Sequence, residues 1–178
     1  MVLLEHALSV VGRLGAAWGL AGVGLLLGSA VYRLTPSAVR TFDYPLDMLQ
    51  WGFLVVWVVL MAVFEGYLGF QRSFSPRVAA RAKYLTERPH AVRSLFAPFF
   101  CMGYFHATRS VKIRSILLTV GIVGLVMAVR RMPQPWRGIV DLGVVLGLNW
   151  GIISIGVLAF MAFATDGFDH SAETPGDA

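Results

Sequence analysis

A chain of 178 residues that is 57% apolar and only 14% charged carries too little polar surface for an ordinary water-soluble domain. Its net charge of +5 raises the question of nucleic acid, but the basic residues flank apolar runs, so the anionic cytoplasmic leaflet of a bilayer is the partner that fits. The single cysteine, Cys101, excludes an internal disulfide and a multi-cysteine metal site.

Residues 1–13 place Leu3, Leu4, Leu8 and Val11 on a short amphipathic stretch suited to the membrane interface. It leads into a first apolar span at about 15–33. No lysine or arginine precedes Arg13, and the apolar run that follows is longer than a secretory h-region, so it reads as a retained helix. A short link of mixed charge follows, with Arg33, Arg40, Asp43 and Asp47 beside Pro36 and Pro45. The next apolar run, 48–70, exceeds the roughly 20 residues needed to cross a hydrocarbon layer about 30 Å thick. It carries one acid, Glu65, near its end.

The link 71–112 and the residues just after it are the most informative part of the chain. Nine of the fifteen basic residues lie between Arg72 and Arg114, against one acid, Glu87. Ser75-Pro76 opens a predicted helix, with proline suited to a first turn, and Pro89 ends it. Residues 95–107 are apolar and aromatic, are interrupted by Pro98 and Gly103, and are too short to span. An interfacial or re-entrant segment is the physical solution, because free backbone in lipid must be covered by protein.

A third span is predicted at 113–130. Its uncharged part, 116–129, makes only about 21 Å of helix, which Arg114 and Arg130 extend by snorkelling. A link with Arg130, Arg131 and Arg137 precedes a fourth span at 138–163, which carries Asp141 near its start. The tail 165–178 is acidic, with Asp166, Asp169, Glu173 and Asp177, and reads as disordered.

These elements predict an all-α integral membrane protein: four transmembrane helices in a bundle, residues 1–164, with a cytoplasmic interfacial or re-entrant segment. The basic count puts both termini and 71–112 in the cytoplasm, because the reverse orientation would leave nine basic residues outside and five inside. Arg130 and Arg131 narrow that margin. The arginine bias and the richness in Ala, Gly and Val suit a bacterial inner membrane.

Small residues form stripes on the spans. Ala17, Ala21, Gly24 and Gly28 share one face of the first, and Gly15, Gly19 and Gly22 share nearly the opposite face. Gly121, Gly124 and Ala128 line the third, and Gly143, Gly147, Gly151 and Ser154 the fourth. Helices in lipid associate through such close approaches, and two opposed faces on one helix imply a homo-oligomer or a membrane partner subunit.

Glu65 is the sharpest single residue, since a carboxylate within a span must be paired, protonated or hydrated. It is either a proton, cation or substrate site or the structural partner of Arg72 or Arg109, and it is expected to face 95–109. Tyr104, His106 and Arg109 form a second candidate set, in which histidine can move a proton and arginine can hold a phosphate. The alternative for that set is an aromatic belt with a basic anchor. Asn149, mid-span, is expected to hydrogen-bond across helices, and Asp141 to pair with Arg137 or Arg131.

No metal and no cofactor is predicted. Cys101, His90 and His106 fit no zinc spacing, and none of the four histidines falls mid-span, where paired haem ligands belong. No phosphate-cradling glycine loop, nucleophile elbow or His-Glu-x-x-His run is present. The reading is a small transport or membrane-complex subunit of unknown substrate, with no nucleic-acid partner. The alternative is a membrane-embedded enzyme or binding protein acting on a lipid or amphiphile at the cytoplasmic face.

Overall fold

The computed structural model describes residues 2–165 and 168–174, with side-chain surroundings from residue 8 onward. Helix α1 (Val2–Val39) is followed by one 3-10 turn (Arg40–Asp43). Helix α2 (Met48–Met61) continues through a π-helical segment (Ala62–Phe74) into α3 (Ser75–Glu87). Two single-turn helices, α4 (Ala91–Leu95) and α5 (Ala97–Cys101), precede α6 (Arg109–Val129) and α7 (Trp136–Ala164). There is no strand among the described residues.

Four of these helical runs are long and apolar enough to cross a membrane: Leu8–Asp43, Met48–Glu87, Arg109–Val129 and Trp136–Ala164. Their limits differ from the sequence reading where a local interaction carries a helix further. The amphipathic stretch and the first span form one helix, and α1 runs on past residue 33 through Pro36 to Val39. At the start of α2, the Asp47 carboxylate accepts from Gln50 N (2.7 Å), and the Gln50 amide oxygen accepts from Asp47 N (3.0 Å). This reciprocal cap satisfies donors that a helix start leaves orphaned.

The largest departure is the union of the second span with the helix expected to open separately at Pro76. Ser75 N–H donates to Phe70 O, five residues back, and Pro76 falls in the first turn of α3, where its missing donor costs nothing. Five-residue bonding also sets what faces α7. Glu65, Phe70 and Ser75 meet it in succession at Gly147, Gly151 and Ser154. In an α-helix, residues five apart are rotated by about 140° from one another and would leave that seam.

Helix α7 runs antiparallel to α1, since Gly138 lies against Ser37 and Thr41 while Ile155 shares a buried cluster with Val23. It runs parallel to the α2–α3 rod. Its glycines admit large neighbours: a Cβ at Gly143 would overlap the Trp57 indole, and one at Gly151 would lie 2.6 Å from the Phe70 ring. Indole N–H groups tie the seam, Trp57 to Val140 O (3.1 Å) and Trp150 to Gln71 Oε1 (2.8 Å). Ser75 and Ser154 share a hydrogen bond of 2.7 Å between the helices.

The two small faces of α1 have different fates. Gly15, Gly19 and Gly22 receive Ser94, Cys101 with Ala97, and Pro98, so that α4 and α5 lie along this face. Gly24 and Gly28 have nothing within 4 Å. Helix α6 packs on no other long helix to any extent. It is held near its N-terminal end, where Val111 and Ser115 lie against Gly103 and Ser115 Oγ donates to Met102 O (2.8 Å).

Residues 95–107 do not traverse the molecule. They comprise the end of α4, the single turn of α5, which is about 7.5 Å of helix, and a loop with Gly103 at φ +85°. The tail departs from its expected disorder. Ala172 and Thr174 are buried, and Glu173 O accepts from Thr108 N (3.0 Å). Asp166 and Asp177 lie outside the described residues.

Candidate functional site

The α3–α5 end of the molecule is organised by a residue that the sequence did not single out. Arg81 is fully buried on a face of α3 shared with Val78, Ala82 and Leu85. Its guanidinium carbon lies 4.1 Å from the centre of the Phe100 ring. Nε donates to Phe100 O (2.6 Å), Nη1 to Ala172 O (2.7 Å), and Nη2 to Phe105 O (3.0 Å) and His106 O (2.9 Å). One planar cation therefore joins α5, the loop after it and the tail through four carbonyls. A lysine could not reach four acceptors in that fork geometry. The signal was present: an arginine in register with Val78 and Leu85 lies on an apolar stripe of α3.

Of the predicted set, Tyr104 and His106 share the loop held by Arg81. The Tyr104 hydroxyl hydrogen-bonds Thr119 Oγ1 on α6. His106 sits at φ +46°, exposed, with its ring 6.3 Å from that of Phe100. Partial burial, then the nearby Arg93, Arg81, His90 and Lys112, hold its pKa below the ordinary 6.5. Arg109 is exposed at the start of α6 and, among the described residues, has no ion pair or ring contact with Tyr104 or His106. Arg88 and Arg93 flank Tyr84, 5.4 and 5.5 Å from its ring centre.

Cys101 is buried against Gly19. Burial pushes its thiol up to about 12, an effect that the neighbouring Arg81 only partly offsets. It is an inert core residue. No three of His, Cys, Asp and Glu converge among the described residues, so Cys101, His90 and His106 do not form a ligand set.

Glu65 lies elsewhere. It does not face 95–109; its carboxylate rests at Gly147 of α7, where a Cβ would be 2.6 Å from Oε2. The continuous α2–α3 rod is the reason. It carries Glu65 two π-turns before Ser75, whereas α4 and α5 lie along Gly15–Gly22 of α1, beside α3. Oε2 is buried without a hydrogen-bond partner, and no basic nitrogen lies within 4 Å among the described residues. The expected pairing with Arg72 or Arg109 is therefore absent: Arg72 stands over Tyr67, 5.8 Å from its ring centre.

Asn149 does not bond across helices. Its Nδ2 donates to Val145 O of its own helix (2.8 Å), and its side chain is exposed, because the seam with the rod uses Gly147, Trp150 and Gly151. Asp141 is buried, with Oδ2 3.7 Å from Arg137 Nε one turn before it. Arg77 and Glu173 approach to 3.8 Å between α3 and the tail.

The chain is thus an all-helical, multi-pass membrane protein, with a close-knit polar assembly at one end and an unpaired carboxylate oxygen within a spanning helix. No family model, curated protein or solved structure matches it.

Proposed function

We propose that the protein is a subunit of an integral membrane assembly in a bacterial inner membrane, with both termini and 71–112 in the cytoplasm. The observation that carries this reading is the isolation of α6. In its most apolar stretch only 6% of residues are buried, against 33% in α7. A spanning helix touched along its first half by Met102, Gly103 and Tyr104 and otherwise buried only at Val129 leaves most of its sides to lipid or to another helix, and four-helix packing is completed by a partner. Gly121 and Gly124 on α6, and Gly24 and Gly28 on α1, have open space where a Cβ would stand, and small residues are what helices in lipid use to approach one another. The basic charge of 71–112 supports the orientation. A proton or solute path in such an assembly would use Glu65, a carboxylate within a span that has a buried, unpartnered oxygen and, among the described residues, no ion pair.

Native mass spectrometry from nanodiscs tests the reading. The expected mass exceeds that of one chain, and Gly121→Leu with Gly124→Leu, or Gly24→Leu with Gly28→Leu, reduces it to the monomer without loss of helicity. A monomer under all conditions overturns it.

A further inference from the structure

The tail and the last turns of α3 enclose a cleft of about 320 Å³, at the small end of the range for ligand sites. Lys83, Tyr84, Glu87 and Arg88 line it from one face of α3, and His170 and Ser171 line it from the tail. The tail wall is anchored. Ala172 O accepts from Arg81 Nη1 (2.7 Å), and Glu173 O accepts from Thr108 N (3.0 Å). Phe168 packs on the cluster of Ala79, Ala159 and Ala162, and its ring centre lies 4.8 Å from that of His170. Leu85 lies against Gly12, just before Arg13, and α7 ends at Ala164, so the cleft stands at the ends of the long apolar helices. Water and lipid headgroups both reach that depth.

Both signs of charge line this cleft without cancelling. Lys83 and Glu87 are one helical turn apart, a spacing at which side chains meet, yet no ion pair joins Lys83, Glu87 or Arg88 to any group among the described residues. Lys83 and Arg88 can only donate. The Arg88 guanidinium stands 5.4 Å from the Tyr84 ring centre, which leaves its in-plane N–H groups for acceptors. Ser171 Oγ accepts from Glu173 N (3.0 Å), so its own proton is what it can offer a ligand. Glu87, as a carboxylate, can only accept. It also ends α3, where an acid opposes the helix dipole and the last backbone carbonyls add partial negative charge. A bound cation relieves that repulsion, and a bound anion relieves that between Lys83 and Arg88.

We infer that the cleft binds a phosphoethanolamine group, with its phosphate on Lys83, Arg88 and Ser171 and its ammonium on Glu87 and the last carbonyls of α3. A lone anion would face Glu87, and a lone cation would face Lys83 and Arg88; a zwitterion answers both. Donors from both walls suit the several oxygens of phosphate. Two carbons between phosphate and ammonium suit a helical turn, which rises about 5.4 Å. The group occurs free, as in glycerophosphoethanolamine, and as the headgroup of phosphatidylethanolamine, and the cleft is open to either source. Arg81 positions the tail wall through Ala172 O. This goes beyond the assembly reading and does not depend on it, since binding can be read on a single chain.

The experiment uses the full chain in phosphatidylcholine nanodiscs, a background whose methylated nitrogen has no N–H for Glu87. Short-chain phosphatidylethanolamine is titrated in one arm and glycerophosphoethanolamine in the other, and bound ligand is counted by native mass spectrometry. Lys83→Gln and Arg88→Gln should each weaken binding about tenfold. Short-chain phosphatidylglycerol keeps the phosphate and lacks the ammonium, so it should bind the native chain about tenfold more weakly. Glu87→Gln should abolish that preference. Arg40→Gln, after the far end of α1, should change nothing. Lys83 is half-buried and Glu87 and Arg88 are exposed, so these variants keep the fold. Tighter binding of the lipid assigns the cleft to a headgroup, and equal binding assigns it to the free molecule. Equal affinity in all variants, no preference over phosphatidylglycerol, or an equal loss from Arg40→Gln overturns the site.

Discussion

Helix α3 carries Arg77, Arg81, Lys83 and Glu87 in thirteen residues and is the most enclosed helix of the molecule, with Val78, Ala79, Ala80, Arg81, Ala82 and Leu85 all buried. Helix α6 has no charge after Arg114 and is almost bare, with only Val111 and Val129, near its two ends, buried. The order is the reverse of that in a water-soluble protein. Lipid tails are as apolar as leucine, so in a membrane apolarity gives a helix no reason to leave lipid for protein. Helices associate there where small residues allow close approach and where polar groups find partners. Helix α3 has both, through its alanines and Arg81.

The strongest way to break this contrast is to remove the polar centre. Arg81→Met leaves four buried or partly buried carbonyls without a donor, and the expected loss of stability is about 3–5 kcal/mol, with release of the tail. Unfolding in detergent and proteolysis at residues 168–174 check it, and Arg81→Lys should recover part of the loss. A decrease below about 1 kcal/mol would mean that the carbonyls find water and that Arg81 is not the organiser.

Glycine substitutions sharpen the comparison at intermediate size. Gly143→Ala and Gly151→Ala drive a methyl into the Trp57 and Phe70 rings, and overpacking of this kind costs about 1–3 kcal/mol. Gly121→Ala and Gly124→Ala meet open space and should leave monomer stability unchanged or slightly raised, since alanine favours helix. Equal losses at both pairs would show that α6 is packed after all.

The smallest expected effect is at Glu65. Glu65→Gln strands no arginine, because none pairs with it, so stability should move by less than about 1 kcal/mol while any proton or solute movement through the assembly is lost. A large destabilisation would reveal a countercharge brought by a partner chain.

Much of this architecture was legible because membrane solvation leaves a coarse imprint. Runs of apolar residues located all four long helices, and the four-residue spacing of Arg137 and Asp141 put them on one face of α7. What stayed hidden depended on neighbours distant in sequence. Asn149 reads as a cross-helix donor until the glycine seam turns it outward. Glu65 reads as belonging with Arg72 or Arg109 until the rod carries it to Gly147. The tail reads as disordered because its composition is polar, yet its carbonyls meet Arg81 and Thr108 N.

By itself, then, the sequence determined the number of long apolar helices, the place of each apolar run and the basic bias of the segment between the second and third. Hydrophobic length and charge near the ends of a span are local properties that need no tertiary contact. Only the tertiary structure decided which of α1's two glycine faces is filled, that residues 62–74 widen into a π-helix, and that Arg81 stands at the centre of the polar end. Each follows from complementarity between surfaces remote in the chain: Pro98 into Gly22, Phe70 into Gly151, one guanidinium to four carbonyls. Composition cannot encode such matches, because any small residue, aromatic ring or arginine would read the same until the chain closes around it.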